Sequence, residues 1–192
     1  MIDMRDDMRE IVKLRKDDIV VSTETSIGAW ADVTDDVTLH LPIPAMSKGS
    51  SMALGVALAQ PDRRVILWDG DGSLLMNLGS LVTVGGMAPA NLYHIVLDNG
   101  IYAMTGGQPV PNADGIHYQG LAESAGYAKT YLFDDLEDWV TGIAQVLEQK
   151  GPVLIVMKTA PELTDWRNNP PPPGRRMPEA APVAKSALAG EG

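Results

Sequence analysis

Four short blocks of apolar residues punctuate the chain: Ile19-Val20-Val21, Val65-Ile66-Leu67-Trp68, Leu92 to Leu97, and Val153-Leu154-Ile155-Val156. Each is too short for a helix core and rich in β-branched residues, so each predicts a strand buried on both faces. The segments between them carry a different rhythm. Met4, Met8, Ile11, Val12 and Leu14 recur at helical spacing and predict an amphipathic helix over 4–16. Small residues at Gly49, Ser51, Ala53, Gly55, Ala57 and Ala59 predict a closely packed helix opening near residue 45 and ending at 59. A crossover helix is expected over 74–87, weakened near its end by Gly85-Gly86, and further helices over 118–126 and 134–150. Lesser strands are expected over 37–41, ended by Pro42 and Pro44, and over 127–133. Residues 102–111 read as a long flexible loop rich in Gly and Pro, of a kind that can serve as a lid or wall beside a bound ligand. This alternation predicts an α/β protein: a three-layer α/β/α sandwich around a mostly parallel central sheet, joined by right-handed crossovers.

Two strand ends carry the chemistry. The run at 65–68 stops in Asp69-Gly70-Asp71-Gly72-Ser73, and the run at 92–97 stops in Asp98-Asn99-Gly100-Ile101-Tyr102. If these strands are parallel neighbours, Asp71 and Asn99 emerge side by side at the carboxyl edge, where open α/β sheets bind ligands. A carboxylate, an amide oxygen and a nearby backbone carbonyl make a hard oxygen half-shell suited to Mg²⁺. Gly70 and Gly72 let backbone N–H groups approach an anion, and the following helix start adds partial positive charge. A third strand end, Thr23-Glu24-Thr25-Ser26, offers hydroxyls and a carboxylate that either cap the next helix or face a phosphate. His94 lies within a strand and reads as a satisfied core histidine; His40 and His117 are surface or structural residues, or substrate-side groups.

Composition narrows the partners. The 192 residues are 45% hydrophobic and 21% charged, suited to one core, with 25 acids against 15 bases and a formal charge of −10. That balance argues against nucleic acid or an anionic membrane as the main partner. A bound anion would then need a metal ion and converging backbone dipoles to reverse the local field. There is no cysteine, hence no disulfide or thiolate chemistry and no iron–sulfur cluster held in the usual way by this chain. With no apolar run near 18 residues and an acidic first segment, the expectation is a soluble cytoplasmic protein.

The two turns resemble the diphosphate-anchoring motif of thiamine diphosphate enzymes: Gly-Asp-Gly, about two dozen residues, then an Asn-containing turn after a strand. Here 25 residues, Ser73 to Leu97, separate Gly72 from Asp98. The resemblance covers residues 15–160 or so. With the run Thr105-Gly106-Gly107-Gln108-Pro109 it is most similar to the small subunits of sulfopyruvate and phosphonopyruvate decarboxylases. It implies thiamine diphosphate and Mg²⁺ as cofactors. Asp71 and Asn99 would bind the metal through side chains and Ile101 through its carbonyl. Gly70, Gly72, Ser73 and Thr25 would lie along the diphosphate. Met46 would prop the cofactor into its bent shape, and the Pro44 carbonyl would accept its amino group; the family usually has glycines where Pro44 and Ser47 stand.

The activity implied is decarboxylation of a small, anionic 2-oxo acid. Carboligase or oxidoreductase chemistry on the same cofactor, and a non-catalytic regulatory subunit, are the alternatives. The resemblance further implies a separate pyrimidine-binding α subunit that supplies the catalytic glutamate, in a heteromer such as α2β2. No segment matching that domain is found here, and Glu24 is the one acid near the site besides Asp71. Residues 1–165 are expected to form the cofactor-binding domain. Residues 166–192, with four prolines at 170–173, are expected to form a Pro/Ala-rich tail without a core.

Overall fold

The structure, a computed structural model, describes residues 1–163 and 176–190. Six parallel strands form the central sheet: β1 (Ile19–Thr23), β2 (His40–Ile43), β3 (Val65–Gly70), β4 (Leu92–Asp98), β7 (Lys129–Phe133) and β8 (Val153–Lys158). Their order is β2-β1-β3-β4-β8-β7. The chain leaves β1 for one edge of the sheet and returns to its other side as β3. The connections therefore diverge between β1 and β3, and a crevice opens there at the carboxyl ends.

The expected strand blocks bury both faces, alternately. Val65 and Leu67 of β3 and Leu92 and Val96 of β4 join one core, with α3 (Gly49–Ala59), α5 (Ser80–Met87) and α6 (Tyr118–Ala125). Ile66, Trp68, Tyr93, Ile95 and Leu97 join the other, with α1 (Met4–Leu14), α2 (Thr25–Val33) and α7 (Leu136–Val146). The three-layer α/β/α fold is as expected. At the amino end of the sheet Arg64 grips Asp18 with two bonds, Nε to Oδ1 at 2.8 Å and Nη2 to Oδ2 at 2.6 Å. This fork locks β3 against the entry to β1, far from the carboxyl edge.

Four expectations change. Strand β2 starts later than foreseen and runs through Pro42, because it is the sheet edge, where one N–H has no ladder to join. The 74–87 helix is two pieces, α4 (Asp71–Leu75) and α5, separated by turns through Gly79. The 102–111 loop is an ordered hairpin: β5 (Ile101–Tyr102) pairs antiparallel with β6 (Gln108–Pro109) around a 3₁₀ turn at Ala103–Thr105. Gly106 and Gly107, at φ 108° and 80°, close it in a backbone region that excludes most side chains. Finally, part of the tail is helical: α8 (Met177–Ala189) buries Ala180 and Ala184 and lies against β2. The proline run lies outside the described residues.

Candidate functional site

The carboxyl ends of β3 and β4 are joined through Asp71. Its Oδ1 accepts the Gly72 N–H at 2.7 Å and its Oδ2 accepts the Gly100 N–H at 2.8 Å, so one carboxylate spans both turns. Gly100 sits at φ 73°, which turns its N–H toward the acid. Asn99 Oδ1 accepts the Ile101 N–H at 3.0 Å, fixing the amide beside it. Spacing in the sequence thus brings Asp71, Asn99 and Ile101 to one corner, as expected.

Asp71 is 2% exposed, and burial pushes its pKa up to about 6; the Gly72 and Gly100 donors pull it down, while neighbouring Asp98 pushes it up. Among the described residues no basic side chain lies within ion-pair distance of Asp71; Lys158 pairs instead with Asp98. A buried carboxylate with neutral donors and no counter-ion is costly unless a cation completes it. Together with an amide oxygen and a nearby carbonyl it fits Mg²⁺, whose usual ligands are one or two protein oxygens, water and phosphate.

A cavity of about 40 Å³ opens beside this corner. Thr23, Glu24, Thr25 and Ser26 line it from the end of β1, Gly70 to Ser73 from the second turn, Asn99 and Ile101 from the third, and Met46 from the loop before α3. Of the cofactor-side residues that the resemblance implies, Pro44 alone stays outside; it is exposed and absent from the lining. Met46 lines the cavity from its loop. Ser73 Oγ accepts the Ser47 N–H at 3.0 Å, tying that loop to the Gly-Asp-Gly turn.

The glycine N–H groups differ from expectation. Gly70 N–H donates to Asp69 Oδ1 at 3.0 Å and Gly72 N–H to Asp71 Oδ1, so each is already held by the carboxylate before it. The closeness that Gly72 provides is to Tyr102: an added Cβ would lie 2.4 Å from the ring's Cε1. Tyr102 and Met104, from the 102–111 segment, also line the cavity, as does Met4, which was not expected there. No motif marks them, since they arrive by the hairpin and by the packing of α1. Glu24 carries a further surprise. Its backbone, at φ 49° and ψ −124°, is rare for a residue with a side chain. Burial, then the nearby Asp69 charge, pushes its carboxyl up to about 7.

The histidines separate cleanly. His40 is fully buried with Nε2 2.6 Å from Ser22 Oγ, which makes it structural. His117 precedes α6 and is not among the cavity residues. His94 is buried in the core as expected, but it is not satisfied there: Nδ1 meets the Tyr127 hydroxyl while Nε2 has no hydrogen-bond partner.

An oxygen-rich corner at the ends of β3 and β4, beside the point where the connections of the parallel sheet diverge, is the kind of place where open α/β sheets bind a cofactor. Comparison with known proteins makes the assignment particular. The chain belongs to the family described as thiamine pyrophosphate enzyme, C-terminal TPP binding domain, whose model matches residues 36–157. It is 37% identical over 163 residues to a phosphonopyruvate decarboxylase of Streptomyces viridochromogenes, covering 84% of this chain and 41% of that one. It is 43% identical over 121 residues to the sulfopyruvate decarboxylase subunit beta of Methanothermobacter thermautotrophicus, covering 63% and 62%. The chain therefore spans less than two thirds of the length of either relative. Among solved structures, the thiamine diphosphate-dependent 4-hydroxybenzoylformate decarboxylase of Rhodococcus jostii superposes with a TM-score of 0.70 at 25% identity, over 84% of this chain and 33% of that one. No helix among the described residues is long and apolar enough to cross a membrane.

Proposed function

We propose that this chain is the diphosphate-holding subunit of a thiamine diphosphate- and Mg²⁺-dependent decarboxylase acting on a small anionic 2-oxo acid. The observation that carries the reading is Asp71: a carboxylate 2% exposed, bridging the ends of β3 and β4, with no basic partner. In this reading Asp71 and Asn99 hold the metal with the Ile101 carbonyl, and Thr25, Gly72 and Ser73 border the diphosphate. Met46 and the loop carrying Pro44 face the cofactor's ring end. The chemistry the bound cofactor supplies is an electron sink for the bond between carboxylate and 2-oxo carbon. The substrate class follows the relatives, which are named for sulfopyruvate and phosphonopyruvate.

A partner chain completes the site in this reading. Support comes from the similarity to proteins named as a beta subunit. It comes also from the size of the cavity, since about 40 Å³ is far below the ~300 Å³ or more of a pocket enclosing a drug-sized ligand. Exposed Met76 and Val82, at 58% and 65%, stand on the helices that follow the Gly-Asp-Gly turn and give such a partner an apolar footing. The partner would bring the pyrimidine-binding domain and its glutamate, in an assembly such as two copies of each chain, working in the cytoplasm.

The test is calorimetric titration of the assembled protein with Mg²⁺ and thiamine diphosphate, beside Asp71→Ala and Asn99→Ala, followed by assay against sulfopyruvate, phosphonopyruvate and pyruvate. Metal-dependent binding lost in both variants, with carbon dioxide released from an anionic 2-oxo acid, is the expected result. Unchanged affinity in both variants would refute the site, and turnover by the isolated chain would refute the shared one.

A further inference from the structure

Just before the Gly-Asp-Gly turn lies a second buried acid that the site described above does not use. Asp69 is 1% exposed and His94 is fully buried. In the sheet register Leu67 faces His94 and Asp69 faces Val96, so the acid and the imidazole are diagonal neighbours on one face. Asp69 Oδ1 accepts from the Thr23 hydroxyl at 3.1 Å and from the Gly70 N–H at 3.0 Å. Both donors belong to residues that line the cavity. The other oxygen, Oδ2, has no hydrogen bond, and neither has His94 Nε2, 3.6 Å from it. Behind the imidazole, Nδ1 lies 3.0 Å from the Tyr127 hydroxyl.

We propose that Asp69 and His94, backed by Tyr127, are positioning residues that set the ends of β1 and β3 for the diphosphate-bearing cofactor. The proposal rests on the cofactor reading above. When Tyr127 donates to Nδ1, the imidazole proton is on Nε2 and points toward Asp69 Oδ2. That pair is a donor and an acceptor, both stripped of water, separated by about half an ångström more than an N–H···O bond. Closing the gap satisfies two orphaned groups and dehydrates nothing further. The movement required is a small settling of the β3 end, the segment that carries Gly70 and Asp71. Thr23 couples β1 to the same carboxylate and also donates to the Trp68 carbonyl at 3.2 Å.

The lid on this arrangement is α3. A Cβ on Gly49 would lie 2.8 Å from Thr23 Cγ2 and 3.1 Å from Asp69 Oδ2, so the first turn of that helix rests directly on the pair. The relay therefore joins four elements at the site: β1 through Thr23, β3 through Asp69, β4 through His94, and α3 through Gly49.

Two measurements on the assembled protein test it, with Mg²⁺ and thiamine diphosphate as probes. The chain has three histidines, so isotope-labelled imidazole signals are few enough to assign. Saturation is expected to move the Nε2 signal of His94 and leave that of His117, outside the cavity, in place. Asp69→Asn and His94→Gln are expected to raise the cofactor Kd about tenfold, the scale seen for residues that orient ligand-holding groups, and Tyr127→Phe about threefold in the same direction. Thermal midpoints separate this from a packing defect, which lowers stability without touching Kd. If the first two variants do not fold, Tyr127→Phe and the wild-type histidine signals decide alone. Wild-type protein that saturates with His94 unmoved, and folded variants that bind within about twofold of it, would overturn the relay and leave the functional reading intact. Wild-type protein that binds no cofactor would overturn that reading, and the relay with it.

Discussion

Replacing Asp7 by asparagine should make the protein more stable, and more so at higher pH. Asp7 lies on α1 with no exposure, and neither carboxyl oxygen has a hydrogen-bond partner. Burial first, then the charges of Asp6 and Asp3, pushes its pKa from 3.8 up to about 8. Between those values the folded chain keeps a proton that the unfolded chain has released, so the fold loses stability as pH rises through the window. The linkage is about 1.4 kcal/mol per pH unit above 3.8, giving on the order of 4 kcal/mol near pH 7 and under about 2 near pH 5. Asparagine has nearly the same shape, leaves the same kind of unpartnered polar group, and does not ionise. The backbone carbonyl of residue 7, which accepts from Trp139 Nε1 at 3.1 Å, is unaffected. Urea unfolding followed by circular dichroism at about pH 5 and about pH 7 gives the difference directly. Asp7→Asn should gain several kcal/mol at the higher pH and less at the lower. A gain independent of pH, or a loss at neutral pH, would show that Asp7 is ionised in the fold and paired in some other way.

Other perturbations read different parts of the structure. Gly85→Ala should destabilise by about 1–3 kcal/mol despite alanine's better helix propensity, because its Cβ would fall 1.9 Å from the Ala125 carbonyl oxygen and force α5 off α6; a more stable variant in urea unfolding would contradict that contact. Glu24→Gln should raise the thermal midpoint at about pH 8 and change it little at about pH 4.5, since the carboxyl is pushed from 4.5 to about 7 and its cost appears only as pH climbs between those values; solvent contact limits the gain to about 1–2 kcal/mol. Deleting residues 176–192 should lower the midpoint by several degrees, because Ala184 of α8 packs into the core that holds Leu39 and Leu41 of the β2 side; an unchanged midpoint would mean that α8 contributes no net stability.

What the sequence made legible was whatever a short local pattern determines. The apolar blocks at 65–68, 92–97 and 153–156 are strands because their residues fill both faces of a covered sheet, and the parallel order follows from the helices between them. Asp71 and Asn99 could be placed together because each follows such a block directly. Legibility failed where a neighbour overrules local preference. Pro42 looks like a strand breaker until β2 is known to be an edge. The alanines of α8 carry little hydrophobic signal, yet Ala180 and Ala184, one turn apart, form a flat stripe that packs closely on β2. Nothing local announces φ 49° at Glu24, a residue with a Cβ, because the turn from β1 into α2 imposes it. Tyr102 and Met104 reach the cavity only because Gly106 and Gly107 fold what reads as a loose loop into a hairpin.

The turns at the site are held by their own side chains before any ligand arrives. Asp69 takes the Gly70 N–H, Asp71 takes those of Gly72 and Gly100, Asn99 takes that of Ile101, and Ser73 takes that of Ser47. Each bond fixes a backbone segment that a cofactor would otherwise have to order at its own entropic expense. The price is electrostatic: two acids, Asp69 and Asp71, are buried within three residues of each other in a chain that already carries a formal charge of −10. The two solve it differently. Asp69 has the start of α3 above it and an imidazole 3.6 Å away, both part of the fold. Asp71 has the Gly72 and Gly100 N–H groups and, among the described residues, no ion-pair partner, while the nearby Asp98 is paired with Lys158. One acid therefore has a polar group of the fold facing it, and the other has no such side chain among the described residues. That asymmetry, more than the presence of two aspartates, is what supports the two proposed roles, Asp71 as the ligand for a cation and Asp69 as the residue that keeps the turn in shape.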